Sequence, residues 1–202
     1  MFRCAFAILT GTLLLMQQQT VAQTLLTIED PEAYAVYAAL FQRHVKYDPQ
    51  RMRDIRLLQE TRPPTRCDQK RYPDKRWEAA MTNFWQANAR RWLLKSGADL
   101  GMPYTLITPP VIESILKTVA QDPSPRLGGG PEPGLRMLPA RYFVLSAVGF
   151  SADKNFAVVG HEKDCEHLNP ADNSVLCSSG DVMAWEKVGG QWVPAEGCGW
   201  IA

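Results

Sequence analysis

Apolar positions along the chain follow a helical spacing in the first half and a strand spacing in the last third. Tyr34, Tyr37, Ala38, Phe41 and Val45 recur at steps of three and four, the period of a helix with one buried face. Asp30-Pro31-Glu32 stands just before them and supplies a capping carboxylate, a proline at the first helical position and an acid in the first turn. Ile55 to Thr61 reads as a strand ended by Arg62-Pro63-Pro64, followed by a basic loop that holds Cys67. A second helix is expected from Asp74, a candidate cap, with Trp77, Ala80, Met81, Phe84, Trp85, Trp92 and Leu93 on one stripe. That stripe is read as core rather than as a ligand platform. Asn88 interrupts it, either to satisfy a local hydrogen bond or to mark the core edge.

Tyr104 to Ile107 reads as a short strand, and Thr108-Pro109 caps an expected third helix carrying Val111, Ile112, Ile115, Leu116 and Val119. The pattern then breaks. Residues 121–140 hold Pro123, Pro125, Pro131, Pro133 and Pro139 with Gly128, Gly129, Gly130 and Gly134, which excludes a helix or a central strand and predicts a long loop. Beyond it, Tyr142 to Phe150 is nearly all apolar, as in a strand covered on both faces. From Asn155 to His161, Phe156, Val158 and Gly160 alternate with Ala157, Val159 and His161. A loop bearing Cys165 and Cys177 follows. Asp181–Lys187 and Gln191–Val193 then form a hairpin about Gly189-Gly190, and Trp200-Ile201 offers one more pairing. The expected fold is α+β in a single domain. Its amino-terminal helices pack on one face of a carboxy-terminal antiparallel sheet of about four to five strands.

The amino terminus changes the setting. Arg3 precedes a 12-residue stretch, Ala5 to Met16, apolar apart from Thr10, Gly11 and Thr12, and Val21-Ala22 ends the segment on small residues. Residues 1–22 therefore read as a secretory signal peptide, too short to span a bilayer, which takes roughly 20 residues. The remaining 23–202 form the single α+β domain of a periplasmic or secreted protein with no second membrane-spanning segment. Removing Cys4 leaves Cys67, Cys165, Cys177 and Cys198, an even number in an oxidising compartment and so a disulfide framework. The pairing Cys165–Cys177 encloses 11 residues and leaves Cys67 for Cys198. His161 and His167 flank Cys165 but lack the paired spacing of a structural zinc site, so no metal or other cofactor is expected.

Composition is ordinary, at 46% hydrophobic and 21% charged with a net charge of +1, and nothing in it points to nucleic acid. Charge placement is more telling. Residues 42–95 carry 14 Lys and Arg against 6 Asp and Glu, whereas residues 151–202 carry 3 against 8. Arg66, Lys70, Arg71, Lys75 and Arg76 are the candidate binding residues, suited to an anionic envelope polymer or an acidic protein partner. The alternative is a solvated helix face with pairing inside the chain.

The segment Ser146-Ala147-Val148-Gly149-Phe150 resembles a pattern in poorly characterised exported bacterial proteins. There an S-x-V-G-F strand precedes an alternating strand, a cysteine-bearing loop and a tryptophan-flanked glycine hairpin. The hairpin here is Trp185 to Val193, and the likeness covers residues 100–202. The resemblance implies fold and export, and no activity.

Catalytic signals are sparse. A hydrolase could be assembled from His161 with Ser146 or Ser151 and an acid such as Asp164 or Glu162, yet no G-x-S-x-G elbow frames either serine. His44 reads as an exposed histidine beyond the first helix, set against the helix dipole. The expectation is an exported, non-catalytic binding or structural envelope module, with a His161 hydrolase as the alternative. The disulfide framework has a direct check: the mature chain, unfolded without reductant, should release no reactive thiol, and four reactive thiols would remove the framework.

Overall fold

The first helix begins as its sequence dictates. In the computed structural model, α1 (Pro31–Tyr47) has Asp30 at its N-cap, with one carboxylate oxygen accepting the Glu32 N–H at 3.0 Å. The structure describes residues 25–50, 52–53, 55–64, 75–108, 110–111, 114, 136–168 and 175–201. Among them the second helix is α2 (Lys75–Ala87) and the strands are β1 (Leu26–Thr27), β2 (Ile55–Leu58), β3 (Trp92–Leu93), β4 (Tyr104–Ile107), β5 (Arg136–Leu145), β6 (Gly149–Phe150), β7 (Phe156–Leu168), β8 (Val175–Val188) and β9 (Gln191–Ile201). Residues 1–22, the loop with Cys67, Asp74 and residues 121–135 lie outside the described residues. So do Ile112, Ile115, Leu116 and Val119 of the expected third helix, of which Pro110, Val111 and Ser114 are helical.

The α+β class holds, and the sheet is larger and mixed. Seven strands pair in the order β4-β2-β5-β7-β8-β9, with β6 also on β7. The carboxy-terminal strands are antiparallel, as expected. The short amino-terminal strands β2 and β4 extend the sheet in parallel, β2 lying between β4 and β5. The chain between β2 and β4 contains α2, the kind of crossover that parallel neighbours require.

The helices do not share one face. Successive residues of a strand point to opposite sides of a sheet. Ala157 and Val159 of β7, with Met183 and Trp185 of β8, join a buried cluster with Val36, Tyr37, Leu40 and Phe41 of α1. Their neighbours Val158 and Val182 join Ala80 and Phe84 of α2. The helices therefore cover opposite faces, and each strand position between them is buried on one side or the other. This corrects the one-face expectation. A strand alternating Phe156, Val158 and Gly160 with Ala157, Val159 and His161 has no solvent side.

Three boundaries move for physical reasons. The aromatic stripe ends at Ala87, because the Asn88 side-chain amide donates to Phe84 C=O at 2.8 Å and closes the helix. Trp92 and Leu93 then pair in parallel with Leu26 and Thr27 instead of continuing α2. Residues 136–140 belong to β5 rather than to the Pro/Gly loop. Pro139 falls within the register shift between Met137 and Tyr142, and β5 meets β2 only at Phe143, so its missing N–H breaks no regular ladder. Cys165 and Cys177 stand in β7 and β8, opposite each other in register, and not in a loop. The hairpin at Gly189-Gly190 forms as expected, with φ of 58° and 81°, both in the region that glycine enters without strain. Trp200 and Ile201 lie in β9 opposite Gly180 and Ser179.

Between β5 and β6 the chain bulges. Leu145 lies opposite His161 and Gly149 opposite Val158, so four steps on one strand answer three on β7. Gly149 lies directly under α2, where an added Cβ would come within 2.2 Å of the Phe84 amide nitrogen. Gly149→Ala should therefore lower stability by about 3 kcal/mol or more, beyond ordinary overpacking because backbone must move. Gly97→Ala should cost about 1 kcal/mol, from its positive φ alone, since nothing lies within 4 Å there. Equal losses in urea unfolding would contradict the close approach of α2.

Candidate functional site

The polar cluster that the fold assembles lies under the last turn of α1. Alternation along β7 puts His161 on the α1 face, with Leu145 and Asp181 as its cross-strand neighbours. His44 stands in the last turn of α1. The two imidazoles meet Nε2 to Nε2 at 2.9 Å with their rings at 68°. Asp181 brings Oδ2 to 3.8 Å from His161 Nε2, beyond hydrogen-bond reach. Phe143 packs edge-on against His44. His44 is thus half-buried and bonded to the sheet, not exposed beyond a helix end.

Burial determines the charge state of the pair. Desolvation lowers the His44 pKa from 6.5 to about 4, and the nearby cations Lys163 and Arg43 push the same way. His161, which is sealed from solvent, is lowered well below 6.5 by desolvation, then by His44, Lys163 and Arg43. Both rings are neutral at pH 7. One must donate and the other accept. Placing the single N–H of His161 on Nε2 uses it in this bond and leaves only a bare lone pair at Nδ1, which has no partner among the described residues. The opposite tautomer would bury an unpaired N–H.

The serines expected beside His161 are otherwise engaged. Ser146 Oγ accepts the Gly160 N–H at 2.7 Å and donates to Ala147 C=O at 2.9 Å. A hydroxyl has one proton, and here the backbone takes it. Ser151 donates to Asp153 at 2.6 Å and accepts the Phe156 N–H at 3.0 Å, closing the turn before β7. Glu162 is buried on the face opposite His161, and the Asp164 side chain lies outside the described residues. Among the described residues no group of three His, Cys, Asp or Glu side chains is arranged to hold a metal ion. No helix among them is long and apolar enough to cross a membrane.

Of the candidate basic residues, Arg66, Lys70 and Arg71 lie outside the described residues. Lys75 and Arg76 open α2 and are exposed. Arg76 reaches Glu186 at 3.8 Å and its guanidinium lies 5.6 Å from the Phe156 ring centroid. An ion pair that open to water contributes little. Two other basic residues of the middle segment pair with acids: Arg91 with Glu60 at 2.7 Å and Lys95 with Glu29 at 3.2 Å.

Sequence reasoning placed Tyr37 on the buried stripe and gave Asn88 a local hydrogen bond, which forms to Phe84, but it did not reach their long-range partners. Tyr37, fully buried, donates its hydroxyl to Ser146 C=O at 2.8 Å. Asn88 donates to Ala147 C=O at 3.0 Å and accepts the Ala147 N–H at 2.9 Å. The signals were present: a tyrosine on the buried stripe of α1 needs an acceptor for its hydroxyl, and an asparagine on an apolar stripe needs partners for its amide.

Compared with known proteins, the chain matches no family model, no curated protein and no solved structure. The roles of these residues therefore rest on their geometry. Ser146→Ala would leave the buried Gly160 N–H without an acceptor, and the expected loss is about 1–3 kcal/mol. In urea unfolding the midpoint should fall with the slope unchanged. An unchanged midpoint would show that the hydroxyl is not holding β7.

Proposed function

We propose that this chain is an exported, non-catalytic module that holds an anionic envelope polymer or an acidic protein through its basic middle segment. One observation carries the reading. The side chains from which a hydrolase would be assembled are tied into the fold, Ser146 and Ser151 by backbone hydrogen bonds and His161 by burial against His44. The exposure of Lys75 and Arg76 at the start of α2 supports a surface that anions can reach. The signal-peptide pattern of residues 1–22 supports export, to the periplasm or beyond.

The disulfide framework belongs to the same reading. It is supported by the sheet register, which sets Cys165 of β7 directly opposite Cys177 of β8. Residues facing each other across antiparallel strands have Cα separations of about 4.5–5.5 Å, within the range a disulfide spans. We pair these two, and Cys67 with Cys198.

A heparin column serves as the anionic probe. The mature protein should be retained at low salt and released by moderate salt, because surface charge is screened within about a Debye length, ~10 Å at 0.1 M. Lys75→Glu with Arg76→Glu should elute earlier. Flow-through of the wild type at low salt would overturn the anion-binding reading. An esterase or amidase activity that His161→Ala abolishes would overturn the non-catalytic one.

A further inference from the structure

We propose that the His44–His161 contact is an acid-released latch: proton uptake at this pair frees the last turn of α1 from β7 and uncovers the apolar ground between Phe41 and Phe143. Four elements meet here. α1 brings His44 and Arg43, β7 brings His161 and Lys163, β8 brings Asp181, and β5 brings the Phe143 ring and Leu145. Phe143 also packs edge-on against Phe41 at 5.9 Å, so the last turn of α1 lies over an aromatic contact rather than over water.

The closed contact has no good place for a proton. With both rings neutral, one N–H bridges the two Nε2 atoms at 2.9 Å. Protonating His44 directs a second N–H into the same gap unless the His161 proton moves to Nδ1, which has no partner among the described residues. The added charge sits beside Lys163 and Arg43. Asp181, at 3.8 Å from His161, offsets this only in part.

Opening removes each cost. In water at the end of α1, a charged His44 regains its hydration and faces the negative end of the helix dipole. The open form therefore binds a proton more readily than the closed one. The sign follows: a histidine whose closed-state pKa lies below its free value weakens the closed state as pH falls. The window runs from about 6.5, the free value, down to about 4 for His44. Within it, one proton taken up on opening raises the opening constant by about tenfold per pH unit.

Amide hydrogen exchange on the intact protein between pH 7 and pH 4, corrected for intrinsic exchange, reads the latch directly. Peptides covering Leu40–Tyr47 should lose protection by about tenfold per pH unit within the window, while the α2 peptides keep theirs. His44→Gln cannot titrate and should flatten the dependence, and His44→Phe should do so while keeping the apolar contact. Flat α1 protection in the wild type would overturn the proposal. Equal loss in α1 and α2, or an unchanged slope in a folded His44 variant, would overturn it as well. If neither variant folds, the wild-type comparison of α1 with α2 decides alone.

Discussion

The four residues from Ser146 to Gly149 are where the two sides of the sheet are tied together. The strand pairing of β5 with β7 ends at Leu145, and one extra residue must be accommodated before β6 resumes on the same partner. A bulge leaves backbone groups without ladder partners, and buried groups of that kind are costly. Side chains fill the vacancies. The Ser146 hydroxyl stands in for a carbonyl toward Gly160, Tyr37 of α1 donates to Ser146 C=O, and Asn88, just past α2, pairs with both backbone groups of Ala147. Gly149 lets α2 descend onto β6, whose Phe150 N–H is met by Asn83 of that helix at 2.9 Å. Helices on opposite faces thus share one irregular stretch of backbone.

That arrangement explains the division of labour along α1. Its start is fixed by charge: Asp30 receives Lys154 at 2.7 Å while still capping the helix, and Glu32 receives Lys187 at 2.8 Å. Its middle is fixed by apolar packing and the Tyr37 hydroxyl. Its end is held by the bond between two neutral imidazoles, with Phe143 edge-on to His44 and Val45 against the core. Partly exposed ion pairs are individually weak and the apolar middle is insensitive to pH, so acid acts on α1 most strongly at its last turn.

Much of this was readable from the chain, and the limits have physical causes. The start of α1, the placement of β4 and the Gly189-Gly190 hairpin are local properties, set by a cap, a short apolar run and two positive-φ glycines. The end of α2 was not readable from periodicity, because Trp92 and Leu93 keep the helical phase. The stop is made by the Asn88 amide, which bonds Phe84 C=O one turn back and Ala147 C=O 59 residues away. The parallel strands were hidden because a four-residue strand carries no mark of its neighbour's direction. Opposite-face packing was implicit in β7, where both alternating sets are apolar or small apart from His161, yet apolar residues are also common on exposed faces. His44 and His161 are 117 positions apart, and nothing in either neighbourhood announces the other. The S-x-V-G-F motif was legible as a pattern and acquires a reason only from the hydrogen bonds it makes.

The account stands or falls on whether Tyr37 and Asn88 act through the same backbone. A double-mutant cycle with Tyr37→Phe and Asn88→Ala measures this, since each removes hydrogen bonds to adjoining peptide groups from opposite faces of the sheet. The expected outcome is non-additivity of roughly 1 kcal/mol or more, the double variant losing less than the sum because either change alone loosens the bulge. Stability losses that add within about 0.3 kcal/mol would mean that the two helices are anchored independently, and would contradict the shared tie at Ser146–Gly149.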